Sequence, residues 1–144
     1  LPSVLAQKYQ LTGQGQFALA VCPEGSMAKR ILVADDNALI RRMLCRLFER
    51  EEDYDICAEA TNGQEAIELA LKHRPDLIIL DWAMPMVSGL VAARELKKIM
   101  PDVPIILFSQ HANALIRIEM SVDRIVPKTD ALALMEHVRA LAPV

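Results

Sequence analysis

From Lys29 onward the chain alternates short apolar runs with stretches whose apolar residues recur every three or four positions. Leu77-Ile78-Ile79-Leu80 is the clearest run: four apolar residues, two of them β-branched, predict a strand buried on both faces. It stops at Asp81, and Pro85 forbids regular structure soon after. Ile31–Ala34, Tyr54–Ala60, Ile105–Phe108 and Asp123–Pro127 read as four further strands. The first helix between them carries Ile40, Met43, Leu44, Leu47 and Phe48 as its buried stripe. A capping box at Asn62 and Glu65 opens the second, which turns Ala66, Ile67, Ala70 and Leu71 inward and ends at Pro75. Gly89, Ala92, Ala93, Leu96 and Met100 define a third, stopped by Pro101. A fourth is expected from Ala112 to Met120, with a poorly defined apolar face. The last has Ala131, Leu134, Met135, Val138, Leu141 and Ala142 on one stripe and Leu132 off it.

Five β-α units in succession predict an α/β fold, a parallel sheet with helices on both faces. Analogy with doubly wound folds gives it a flavodoxin-like (βα)5 order, 2-1-3-4-5. The 144 residues, 53% of them apolar, suffice for one domain with a sizeable core. No apolar run approaches the ~18 residues of a membrane span. A net charge of −3, with both signs interspersed, gives no nucleic-acid surface. Cys22, Cys45 and Cys57 are odd in number and lack C-x-x-C spacing, so they read as reduced thiols in a cytoplasmic protein. Residues 1–26 carry only Lys8 and Glu24 as charges. They are expected to be an extension, appended to or upstream of a domain spanning 27–144. The alternative is an arm whose Phe17–Val21 run packs on this domain or a neighbour.

The chemistry gathers at the strand ends. The first strand delivers Asp35 and Asp36, the third Asp81, the fourth Ser109 and the fifth Lys128. In a parallel sheet all of these reach the carboxyl-terminal rim, where open α/β sheets place their ligands. Three crowded carboxylates resist ionising together unless a cation neutralises them. Oxygen-only donors select a hard cation, Mg²⁺ where phosphate is also present. A lysine and a hydroxyl nearby are what phosphoryl oxygens need. Plainer roles stand beside these: a turn cap for Asp81, a helix-dipole partner for Asp35, an N-cap for Ser109. Arg42, Arg46 and Arg50 read as a solvated face, and His73, His111 and His137 lack metal-ligand spacing.

Five motifs stand in order: Val33-Ala34-Asp35-Asp36-Asn37, Ala60-Thr61-Asn62-Gly63-Gln64-Glu65-Ala66, Asp81-Trp82-Ala83-Met84-Pro85 with Gly89, Phe108-Ser109, and Val126-Pro127-Lys128. Together they resemble the receiver domain of bacterial two-component response regulators, in spelling closest to the NarL/FixJ type, from Lys29 to about Ala142. The resemblance implies that Asp81 takes a phosphoryl group from a sensor histidine kinase or phosphotransfer protein. It implies that Asp36 and Asp81 bind Mg²⁺ directly, Asp35 through a water and Ala83 through its backbone carbonyl. Lys128 would pair with the phosphoryl group and Ser109 would turn to hydrogen-bond it. The fourth helix, fifth strand and last helix, with Leu132, would meet a partner or output domain, and the last two helices a second copy. No output domain is expected within this segment, nor binding to membranes or nucleic acid, nor an enzyme acting on anything beyond its own phosphorylation and dephosphorylation.

Three departures qualify the pattern. Ile125 stands where receivers carry a switching aromatic, Gln110 where a small residue follows the hydroxyl, and Pro127 precedes the lysine instead of following it. Ile125 and Gln110 therefore suggest an alternative, a receiver-fold interaction module uncoupled from phosphorylation. A phosphohydrolase resembling haloacid dehalogenases would need an aspartate where Ala83 stands, and a flavodoxin would not place Asp35-Asp36 against a phosphate.

Overall fold

A strand buried on both faces needs helices above and below it, and the chain supplies them in turn. The computed structural model describes residues 27–112 and 122–144, with the backbone of Tyr9–Leu11 and Phe17–Leu19, which pair as a short antiparallel ribbon. The domain runs β1 (Lys29–Ala34), α1 (Ala38–Glu49), β2 (Tyr54–Ala60), α2 (Gly63–His73), β3 (Leu77–Leu80), α3 (Gly89–Ile99), β4 (Ile105–Ser109), β5 (Arg124–Pro127) and α4 (Ala131–Leu141). The sheet is parallel throughout with spatial order β2-β1-β3-β4-β5, the expected 2-1-3-4-5 arrangement. The helix expected from Ala112 to Met120 falls almost wholly on 113–121, outside the described residues.

Side chains alternate across the sheet. Leu32, Ala34, Ile78, Leu80, Ile105 and Leu107 meet Ala66 and Ala70 of α2 and Ala92, Ala93 and Leu96 of α3. Ile31, Val33, Leu77, Ile79, Ile106, Phe108 and Val126 meet Leu44 and Phe48 of α1 and Leu134, Met135 and Val138 of α4. The helices therefore cover both faces. Each fully buried Leu, Ile or Phe contributes roughly 1.5–3 kcal/mol, so this two-sided core dominates stability. The β1–β2 register shifts between Ile31 and Leu32, leaving Cys57 as the extra residue, which is why Ile56, Cys57 and Ala58 are buried in succession.

Two stripe positions differ from expectation. Met43 is 36% exposed and Cys45 takes the inward place, because the α1 contact centres on Leu44, Cys45 and Phe48. Leu71 is 41% exposed: the buried face of α2 narrows to Gly63, Ala66 and Ala70, and the next residue turns away. The capping box is half formed. The Asn62 side chain accepts the Glu65 N–H at 2.8 Å, while the Glu65 carboxylate accepts the Thr61 hydroxyl at 3.2 Å. Arg74 ends α2 in a left-handed conformation, φ 50°, just before Pro75.

Candidate functional site

The rim is built by extending the ladder one residue past the strands. Asp81 N–H donates to Ala34 O at 2.8 Å and Asp35 N–H to Ala60 O at 3.0 Å, which fixes both aspartates by their backbones. Among the described residues the buried polar side chains are Asp35, Asp81 and Ser109, the ends of β1, β3 and β4. Asp36 is exposed, yet one oxygen from each of Asp35, Asp36 and Asp81 lies within 4.8 Å of the others. Lys128 reaches in from the end of β5, its Nζ 2.6 Å from Asp35 Oδ2 and 3.3 Å from Asp81 Oδ1. Its backbone N–H donates to Ser109 O at 3.1 Å, joining the ends of β4 and β5. Burial first, then the Asp35 charge, push the Asp81 carboxyl above its usual range, against the pull of Lys128. Three hard oxygen donors this close fit a divalent cation such as Mg²⁺ better than they tolerate one another.

The other expected residues sit around this core with different partners. Ser109 is fully buried and its Oγ accepts the His111 N–H at 3.1 Å, so it faces its own turn. Ala83 is exposed in the loop after Asp81, and Gln110 is exposed after Ser109. Ile125 is partly buried and packs against the core on the α2–α3 side. Trp82 and His111 meet edge to face, ring centroids 5.7 Å apart.

The loop from Asp81 to α3 depends on two glycines. A Cβ at Gly89 would lie 1.9 Å from Asp81 O, and one at Gly63 would lie 2.3 Å from Val87 O. The same glycines donate N–H bonds, Gly89 to Trp82 O at 2.9 Å and Gly63 to Val87 O at 3.0 Å. Gly63 stands in the second motif, but its contact with this loop was not legible, because a glycine after an N-cap carries no sign of the distant carbonyl it touches. The sequence reading missed Met86, 81% exposed with φ 66°, a left-handed residue that is not glycine.

A model of the response regulator receiver domain matches residues 31–139. The chain belongs to that family. The receiver is similar to the Mycobacterium tuberculosis transcriptional regulatory protein PdtaR, 47% identical over 89 residues, which is 60% of this chain and 43% of PdtaR. It is 39% identical over 83 residues to the protein-glutamate methylesterase/protein-glutamine glutaminase 4 of Hahella chejuensis, 58% of this chain and 21% of that protein. The chain thus spans less than half the length of these curated relatives. Among solved structures, the Thermotoga maritima response regulator TrrA in complex with Mg(2+)-BeF is 38% identical with a TM-score of 0.70, covering 78% of this chain and 98% of that one. A LuxR-family two-component response regulator from Aurantimonas is another structural match, in keeping with the NarL/FixJ-like spelling. Among the described residues no helix of the receiver is long and apolar enough to cross a membrane.

Proposed function

We propose that this receiver accepts a phosphoryl group on Asp81 from a phosphohistidine of a sensor kinase or phosphotransfer protein in the cytoplasm. The observation that carries the reading is the identity of the buried polar groups: Asp35, Asp81 and Ser109 at three strand ends, with Lys128 bridging two of them. An Asp81 carboxylate oxygen attacks phosphorus in line; the new O–P bond forms as the N–P bond breaks, and the leaving imidazole takes up a proton. Lys128 is placed to pair with the phosphoryl oxygens, and Ser109 to turn its hydroxyl from the His111 amide toward them. Asp35, Asp36, Asp81 and the Ala83 carbonyl would hold Mg²⁺, which would neutralise the carboxylates and the developing phosphoryl charge; that TrrA is a complex with Mg(2+)-BeF supports Mg²⁺ as the cation. Residues 27–144 form the receiver in this reading, with residues 1–26 an extension to it. The chain catalyses no reaction beyond phosphorylation and dephosphorylation of Asp81, and the methylesterase name of the Hahella relative remains that protein's.

Incubation with a small phosphodonor and Mg²⁺, followed by intact-mass measurement, tests the reading. One phosphoryl mass is expected on the wild type and none on Asp81→Asn; equal labelling of both, or none on either, removes it.

A second reading is favoured by the packing of Ile125, which leaves no aromatic at that position to move. In it the receiver is an interaction module whose surface around β5 and α4, with exposed Leu132, binds a partner or a second copy regardless of phosphorylation. Partner affinity with and without a phosphoryl mimic separates the two, since a module of this kind shows no change.

A further inference from the structure

Arg41 stands in an electrostatically awkward place. It is the fourth residue of α1, near the helix end where the aligned peptide dipoles are positive and a cation is disfavoured. Its side chain is nonetheless mostly buried and runs back toward the rim. Nη1 donates to the backbone carbonyl of Asp35 at 2.7 Å, and Nε lies 3.6 Å from Glu59 Oε1 on the edge strand β2. Arg42, the next residue, is exposed.

The Asp35 carbonyl belongs to the same peptide plane as the Asp36 nitrogen. With that carbonyl held, and Asp35 already fixed by its N–H to Ala60 O and its Oδ1 to the Asn37 N–H, rotation of the Asp35–Asp36 peptide is restrained at both ends. Asp36 is the exposed member of the carboxylate cluster and has the most freedom to lose. We propose that Arg41, oriented by Glu59, is a positioning residue that sets the Asp35–Asp36 peptide so that the Asp36 carboxylate faces the cation site. The inference rests on the metal reading given above. Glu59 holds the guanidinium against the edge of the sheet, so the unit is a relay from β2 through α1 to the acidic loop. Neither residue belongs to the carboxylate cluster itself.

Charge and position act in opposite directions here, which makes the role testable. Removing a cation near three carboxylates strengthens cation binding through charge alone. Removing a group that aligns a ligand weakens it, by about tenfold for a typical second-layer contact. The experiment compares Arg41→Met, Arg41→Lys, Glu59→Gln and, as a charge control, Arg42→Met in the full chain. Mg²⁺ affinity is followed through the backbone amide resonances of Asp36 and Asp81, and amide hydrogen exchange at Asn37 and Ile79 is measured without metal. The expected result is about tenfold weaker Mg²⁺ binding in Arg41→Met, partial recovery in Arg41→Lys, a smaller loss in Glu59→Gln, and unchanged or tighter binding in Arg42→Met. Asn37 exchange rises in Arg41→Met while Ile79, in the core strand, stays protected. Mg²⁺ binding in Arg41→Met as tight as wild type or tighter overturns the proposal, as does a rise in exchange shared equally by Asn37 and Ile79. A wild type that binds no Mg²⁺ removes the metal reading instead, and unchanged Asn37 exchange in Arg41→Met then rejects the positioning role.

Discussion

The two ends of the sheet treat charge in opposite ways. At the amino-terminal edge, charged side chains are matched to partners. Asp123 Oδ2 accepts the Ile105 N–H and the Lys97 ammonium, each at 2.8 Å, and Lys97 also donates to Val103 O. Asp76 accepts the Arg30 N–H at 2.8 Å and returns its own N–H to Arg30 O at 2.7 Å, while Arg30 Nη1 donates to His73 O. Arg30 Nε, buried with no partner among the described residues, is the exception. At the carboxyl-terminal rim three carboxylates crowd together, and one lysine bridges only two of them, Asp35 and Asp81. One end spends its polar groups on tying strands together, and the other leaves a negative excess that a cation and a phosphoryl group can resolve. The same fold thus keeps its paired charges at one edge of the sheet and its negative excess at the rim where chemistry is proposed.

The contrast can be broken first at Lys128. Lys128→Met leaves Asp35 and Asp81 facing each other without their cation, and phosphoryl uptake is expected to fall about 100-fold, the scale of losing one oriented electrostatic partner. The same change costs about 3 kcal/mol of stability at neutral pH, measured by urea unfolding. At the other end, Asp123→Ala strips the buried Ile105 N–H of its acceptor and is expected to cost about 2 kcal/mol, with the phosphorylation rate unchanged. A rate that falls in parallel would show that the two ends are not independent.

Asp81→Asn should do the reverse and stabilise. The folded protein raises the Asp81 pKa above its ordinary 3.8. The carboxyl therefore favours folding most below that ordinary value, and the contribution is lost as pH rises through the folded value. At pH 7 the asparagine variant is expected to melt higher than the wild type, and the gain should vanish as pH falls toward 3.8. Scanning calorimetry across that range checks the sign. The smallest effect is optical: Trp82, half-buried beside the site, should change its fluorescence on Mg²⁺ addition, and a flat titration at millimolar Mg²⁺ would count against the metal assignment.

Most of the architecture was legible because a doubly covered parallel sheet imposes an unmistakable pattern. Leu77–Leu80 has no polar alternation to confuse it, and strand ends in such a sheet must share a rim, so Asp35, Asp81, Ser109 and Lys128 could be grouped from the sequence alone. Helix faces were less legible. A stripe of period 3.6 is read with a margin of one residue, which is the error at Met43 and Leu71. The contacts that refine the site were invisible for a different reason: Arg41 to the Asp35 carbonyl and Gly63 to the Val87 carbonyl both end on backbone atoms, which have no letter in a sequence. Met86 shows the same limit, since its left-handed φ is imposed by the loop and not announced by the residue.

The glycines under the Asp81 loop will distort any survey of tolerated substitutions. At Gly89 and Gly63 the neighbouring carbonyls occupy the volume of the smallest side chain, so even alanine must displace the loop bearing Asp81. In a saturation screen scored by signalling output, both positions should be as intolerant as Asp81. Exposed Gln110, one residue from Ser109, has no such steric bar. Ranked by intolerance alone, two residues without a side chain would pass for reactive groups.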